Sequence, residues 1–381
     1  VRVRFCKLVL ANWKNFTKVE AAIPKRLFLV GPNASGKSNF LDAFRFLRDL
    51  ATSGGGGFQH AVARRGGVRA IRCLAARRRP SIEIHSEMED ENGQRWAYEL
   101  VFDEDQQRRP HVVRERVERD GQVLLQRPNA EDRADPERLT QTYLEQVNVN
   151  REFREIAAFF ASIRYWHIVP QLVREPDRSV GRSYDPFGGD FLEQVAKTPE
   201  KTRQARLKRI REALSIAVPQ LEEIELWRDG RGTPHLRGKY QHWRPHGAWQ
   251  TEEQFSDGTL RLLGLLWAVL EKGGPLLLEE PELSLHPEVV RHLPQMFARV
   301  QRRSGRQIFV STHSPELLRD EGIGLDEVLL LRASPEGTQV MPAASLRQVR
   351  ELLDGGLSLA DIVLPQTRPE HPEQLALFGE D

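Results

Sequence analysis

Leu27-Phe28-Leu29-Val30-Gly31-Pro32-Asn33-Ala34-Ser35-Gly36-Lys37-Ser38 decides the fold class of this chain. The short apolar run ending in glycine reads as a buried strand. Beyond it, Phe40, Leu41, Phe44, Leu47 and Leu50 recur at helical spacing. Between strand and helix lies the pattern G-x-x-x-x-G-K-S. Glycines let backbone N–H groups fold around phosphate oxygens, and a helix N-terminus adds favourable partial charge. On this reading Gly31, Asn33, Ser35, Gly36 and Asn39 contact nucleotide phosphates, Lys37 reaches the β- and γ-phosphates, and Ser38 holds Mg²⁺. Strand, phosphate loop and helix in that order predict an α/β, P-loop nucleotide-binding fold.

Working outward, Val1–Leu10 and Val19–Ile23 read as strands before the loop. After it, residues 81–88, 94–103 and 111–126 alternate apolar and polar side chains. Asn92-Gly93 and Asp120-Gly121 punctuate them as turns, so the block predicts an antiparallel β-lobe. Helical spacing is expected from Pro136 to about Arg164, and again over Phe191–Ala196 and Pro199–Val218. Strands are expected at Ile163–Val169, Leu221–Trp227 and Leu236–Tyr240. A helix follows at Gly258–Lys272, then buried strands at Leu276–Leu278, Gln307–Val310 and Val328–Leu331, with a helix at Pro287–Arg303. Short apolar strands alternating with helices imply a covered, largely parallel sheet. The chain thus divides into 1–134 (phosphate loop and β-meander), 135–250 (helical/β insertion lobe), 251–345 (C-terminal lobe) and 346–381 (a helix and extended tail).

Composition sets the outer limits. The chain has 381 residues, 56 basic and 54 acidic, with 39% hydrophobic and 29% charged residues, so it can bury a core and is not globally disordered. Its longest apolar stretch, Leu260–Leu270, contains Arg261 and is too short to cross a bilayer. The two cysteines, Cys6 and Cys73, cannot form a disulfide framework, which points to a reducing cytoplasm.

Three further stretches carry chemistry. Pro275-Leu276-Leu277-Leu278-Glu279-Glu280-Pro281-Glu282 delivers carboxylates at the end of an apolar strand, one placed to hold Mg²⁺ and the next to orient or deprotonate water. Ser311-Thr312-His313 follows another buried strand and can donate a hydrogen bond to a γ-phosphate. Phe255-Ser256-Asp257-Gly258-Thr259 opens a helix, a second anion-binding end; read alone, Ser256 is an N-cap.

In order and context these motifs resemble the ABC-type ATPase heads of the RecF/structural-maintenance-of-chromosomes/OLD group, specifically its short "AAA family ATPase" branch without long arms. Leu10-Ala11-Asn12-Trp13-Lys14-Asn15-Phe16 resembles the group's opening strand, Glu280-Pro281-Glu282 with Leu285-His286-Pro287 its "EEPE…LHP" stretch, and Phe255–Leu263 its signature. The resemblance covers roughly residues 1–340 and implies an ATPase. Lys37 and Ser38 would then bind phosphate and Mg²⁺, Glu279 would support Mg²⁺, Glu280 would be the general base and His313 a γ-phosphate sensor. It further implies that Ser256 and Gly258 contact the ATP held by a second copy, so that heads dimerise around ATP. Asp257 departs from the middle glycine of the transporter-type signature, and Glu279 from the usual aspartate. Gln171 is the candidate for the group's glutamine loop.

The stretch between Ser38 and Ser256 is too short for long coiled-coil arms, and the residues after His313 leave little room for a Toprim nuclease domain. An effector, a nuclease or toxin, is therefore expected on another chain, in anti-phage defence. A RecF-like repair or replication switch and a weakly hydrolysing scaffold are the alternatives. Basic stretches at 64–79, 201–211 and 299–306, with Trp227, Arg228, Arg231, Arg237, Tyr240, Trp243, Arg244 and Trp249, suit DNA contact; the same aromatics also suit a β-lobe packed on itself. Gln374-Leu375-Ala376-Leu377-Phe378 resembles the bacterial sliding-clamp-binding pentapeptide; the same residues also suit docking on this protein or on a companion.

Overall fold

The computed structural model describes residues 2–52, 56–76, 80–178, 185, 187–242 and 248–368. Gln374, Leu375, Leu377 and Phe378, as well as Trp243 and Arg244, lie outside the described residues.

Strands from both ends of the chain build one sheet. In spatial order it runs Gln339–Pro342, Val328–Arg332, Arg26–Val30, Ile308–Thr312, Leu276–Glu279, Arg164–Trp166. All pairings are parallel except that of Gln339–Pro342 with Val328–Arg332. Successive side chains of a strand point to opposite faces, so these apolar runs supply two cores at once. Leu27, Leu29, Leu277 and Phe309 enter one core, while Phe28, Leu276, Leu278 and Val310 enter the other.

The first core is closed by a six-stranded antiparallel sheet in the order Phe16–Ala22, Val3–Trp13, Ile82–Asp90, Arg95–Glu104, Pro110–Arg119, Gln122–Arg127. The helix Lys37–Ala51 lies between the two sheets. Phe44 on it meets Phe5 of the antiparallel sheet at 4.8 Å and Phe309 of the parallel sheet at 4.9 Å. Gln307 also ties the sheets together: its amide accepts from Phe5 N–H and donates to the carbonyls of Phe5 and Pro24. The second core is covered by the helices Phe191–Lys197, Glu200–Ala217, Asp257–Leu270 and Leu293–Ser304, beside a small sheet of Leu221–Arg228, Pro234–Tyr240 and Ala248–Thr251.

Three expectations change in detail. From Pro136 to Ser162 only Arg154–Ala161 is α-helical, with 3₁₀ turns at Pro136–Thr140 and Arg151–Phe153. Fully buried Arg127 draws the carbonyls of Arg138 and Gln141 inward, donating to each at 2.8 Å, and so fixes this irregular path. The Pro287–Arg303 helix is split into Pro287–Arg291 and Leu293–Ser304, because Pro294 has no N–H to continue a ladder. Arg306, counted above with the phosphate-binding stretches, is buried and donates to the carbonyls of Ala268, Glu271 and Gly274.

Candidate nucleotide site

All three motif-bearing strands of the parallel sheet end on the same edge. The phosphate loop leaves Val30, the double acid leaves Leu278, and Thr312-His313 leave the strand between them. In parallel sheets the crevice outside these carboxyl ends is where ligands bind.

Positive φ angles at Ala34 (61°) and Gly36 (96°) shape the loop, leaving Gly36 as the helix N-cap. Glycine is required at position 36 twice over, since a Cβ there would also lie 2.1 Å from the Asn15 amide. Lys37, 6% exposed, folds back and donates to the carbonyls of Gly31 and Pro32 at 2.8 and 3.1 Å. Burial pushes its pKa below the ordinary value, while Glu280, Glu282 and Glu279 pull it back. The Ser35 hydroxyl is buried with no partner among the described residues. Asn39 does not face the loop's mouth alone: its amide donates to Asn15, whose own amide donates to Ser35 O and Thr338 Oγ1. Thr338 Oγ1 in turn donates to Ser35 O. Asn15 and Thr338 therefore brace the loop from behind.

Ser38 Oγ donates to Glu279 Oε1, and Tyr165 donates to the other carboxylate oxygen. Tyr165 is packed under the Arg45 guanidinium, 4.2 Å away, so the phosphate-loop helix also steadies the partner of Glu279. A serine hydroxyl and a carboxylate oxygen are hard donors of the kind Mg²⁺ takes. Together with the cationic, N–H-lined loop, they fit a Mg²⁺–triphosphate.

Glu280 sits at φ 44°, an uncommon conformation for a residue with a side chain, held by donation of its N–H to Ser311 O. Its Oε1 lies 3.1 Å from His313 Nδ1 and 4.0 Å from Lys37 Nζ. Glu282, two residues on, is 7% exposed and receives a 2.5 Å hydrogen bond from Thr312, its second oxygen having no partner among the described residues. Burial pushes its pKa up.

Ser256 caps the helix Asp257–Leu270, accepting from Thr259 N–H. Gly258 lies against the loop after the double acid: a Cβ on it would be 2.5 Å from Ser284 O. Arg174 fastens the same end, donating to Phe255 O and pairing with Asp257 at 2.6 Å. Arg261, one turn along, lines a small cleft with Glu279 and Glu280. Lys37, Ser38, Glu279, Glu280 and His313 thus form one connected group. Among the described residues, Ser256 and Gly258 share no hydrogen bond with it. Gln171 is exposed on the short helix Pro170–Val173.

A family model described as "AAA domain, putative AbiEii toxin, Type IV TA system" matches residues 27–319. The chain belongs to this AAA-domain family. The match spans the phosphate loop, the double acid and His313. Among solved structures, an SMC head bound to the C-winged helix domain of ScpA superposes with a TM-score of 0.57 at 12% identity, covering 92% of this chain and 99% of that one. A Pyrococcus furiosus Smc head domain with an extended coiled coil, bound to the C-terminal domain of ScpA, gives 0.56 at 12% identity, covering 93% and 99%. A comparison with curated protein sequences finds no match. The AAA-domain family member is an ABC/SMC-like P-loop ATPase head in fold.

The sequence patterns named the motif residues of this AAA domain but missed their supports. Asn15 and Glu282 stood within stretches quoted for their resemblance, which was the available signal. Tyr165, Arg174 and Thr338 gave none, because only the fold brings them to Glu279, the Ser256 helix end and the phosphate loop respectively.

Proposed function

We propose that this chain binds and hydrolyses ATP, and that two copies close over two ATP molecules, each completing the other's site. What carries the reading is the division of the motifs: the phosphate loop, Glu279, Glu280 and His313 gather at one sheet edge, while Ser256 and Gly258, packed against the loop at Ser284, share no hydrogen bond with that group among the described residues. Lys37 and the loop amides bind the triphosphate. Bound Mg²⁺, held by Ser38 and Glu279, would neutralise phosphate charge. Glu280 takes a proton from water as its oxygen attacks the γ-phosphorus and the bond to the ADP oxygen breaks. His313 donates to the γ-phosphate. Segments 1–134 and 251–345 act in this as one ATPase body, since their strands share a sheet.

The closed pair gates an effector on a separate chain, a toxin or nuclease, in anti-phage defence within the cytoplasm. The family description, a putative AbiEii toxin of a Type IV TA system, supports that setting. Phosphate release by wild type and by Glu280→Gln tests the enzyme: turnover lost with ATP binding retained is expected. Equal phosphate release by both proteins would reject Glu280 as base, and dimerisation with ATP but no turnover in wild type would make the head a scaffold.

A DNA-linked role, as in a RecF-like switch, is favoured by one observation. Trp227 and Trp249 are exposed and flank Arg237, whose guanidinium lies 5.6 and 4.6 Å from their rings. Salt-insensitive or absent retardation of duplex DNA would reject this role.

A further inference from the structure

Two of the basic stretches read above as phosphate contacts converge on an apolar groove. Helices Glu200–Ala217, Asp257–Leu270 and Leu293–Ser304 enclose about 880 Å³ between them. Leu262, Leu266 and Val269 form its floor, and Met296 and Val300, both half-buried, rise along one wall. Ile216, 81% exposed, stands on the opposite lip.

The rim is cationic. Arg209, Arg299 and Arg303 line it, all exposed, and none makes an ion pair or hydrogen bond among the described residues. This sets them apart from Arg65, Arg69, Arg237 and Arg291, each paired with a carboxylate. Glu288, the acid lining the groove, is already paired with Arg291 at 2.9 Å. An occupant must therefore bring apolar side chains for the floor and negative charge for the rim. A nucleic-acid backbone brings the charge but would leave the leucine floor uncovered, since protein–DNA interfaces are more polar than those between proteins. An amphipathic helix answers both demands, with apolar anchors every three or four residues.

We propose that this groove docks an amphipathic helix of a partner protein whose polar flank is acidic. Ser256, Gly258 and Ser284 line one end of the groove, so its occupant abuts the elements assigned above to ATP closure. The partner's regulatory role rests on the proposed function; the docking does not.

The test uses the full chain and a fluorescein-labelled synthetic peptide, leucine and alanine on one helical face and glutamate on the other. Its counterparts are the same peptide with lysine for glutamate, and a labelled DNA duplex. Anisotropy should show the acidic peptide binding at least about tenfold more tightly than the lysine peptide. Arg299→Glu/Arg303→Glu, on the surface, and Met296→Glu, in the wall, should each remove that preference. Equal binding of both peptides, no binding, or binding unmoved by the arginine pair overturns the proposal. So does DNA binding that is lost with Met296→Glu, which would make the groove a nucleic-acid site. ATP-driven dimerisation of the same samples, read by sedimentation, reports on the ATPase reading separately.

Discussion

Thr312 donates a 2.5 Å hydrogen bond to Glu282, and the same hydroxyl accepts the N–H of Ser314 at 3.0 Å. His313, between them, is thereby held facing Glu280. Removing the acceptor should free the histidine while leaving the phosphate loop intact. Glu282→Ala is expected to lower kcat by about tenfold with KM little changed, and Glu282→Gln to retain most activity because its amide oxygen still accepts. Steady-state kinetics of the two variants checks this.

The same residue makes a prediction about pH. Burial raises the Glu282 pKa above its ordinary 4.5. A carboxyl with a raised native pKa holds its proton better folded than unfolded, so it lowers stability as pH rises from the unfolded value through the native one. Glu282→Gln lacks this slope. Relative to wild type it should gain stability as pH is raised from about 4 through that window. Urea midpoints measured across pH read the difference.

Gly258→Ala places a methyl 2.5 Å from the Ser284 carbonyl, a clash with backbone rather than with a yielding side chain. The helix opening at Ser256 must shift away from the acid loop. ATP affinity of the single head is expected to stay within about twofold, while ATP-dependent dimerisation falls by at least about tenfold, a shift worth ~1.4 kcal/mol. Sedimentation with and without nucleotide separates these two effects.

Asn15 supports the phosphate loop through Ser35 O, Thr338 and Asn39. Asn15→Ala removes three hydrogen bonds and leaves Thr338 alone to hold Ser35 O, at about 0.5–1.5 kcal/mol per bond. Fluorescent-nucleotide titration should show ATP binding weakened by about tenfold or more.

Much of this architecture could be read along the chain. Val30-Gly31 and Gly36-Lys37 carry their meaning locally, since an apolar run, glycines and a following helical period all lie within one short segment. The double acid and His313 are legible for the same reason. The brace on the loop is not, because Asn15, Ser35 and Thr338 meet only after strands from opposite ends of the chain pair. Glu280's left-handed backbone leaves no mark in residue type, glycine being absent there. Arg306 misled as a phosphate-binding candidate because a basic residue reads alike whether it meets solvent or caps buried carbonyls. The irregular path from Pro136 to Phe153 follows from Arg127, whose charge is buried with Glu115 and Asp132.

That buried knot is itself testable. Arg127, Glu115 and Asp132 all have no exposed side-chain surface. Arg127→Ala leaves Glu115 buried without its cation and Asp132 with only Arg138, 3.7 Å away, and should cost about 3–5 kcal/mol. Chemical denaturation measures the loss.

Closure of two heads over ATP is tested most directly by the mass of Glu280→Gln in Mg·ATP, measured alone and with Ser256→Arg added. The expected result is a species of twice the single-chain mass that forms only with ATP and disappears when Ser256 is replaced. A single-chain mass at saturating ATP, or a dimer indifferent to both nucleotide and Ser256, would contradict it.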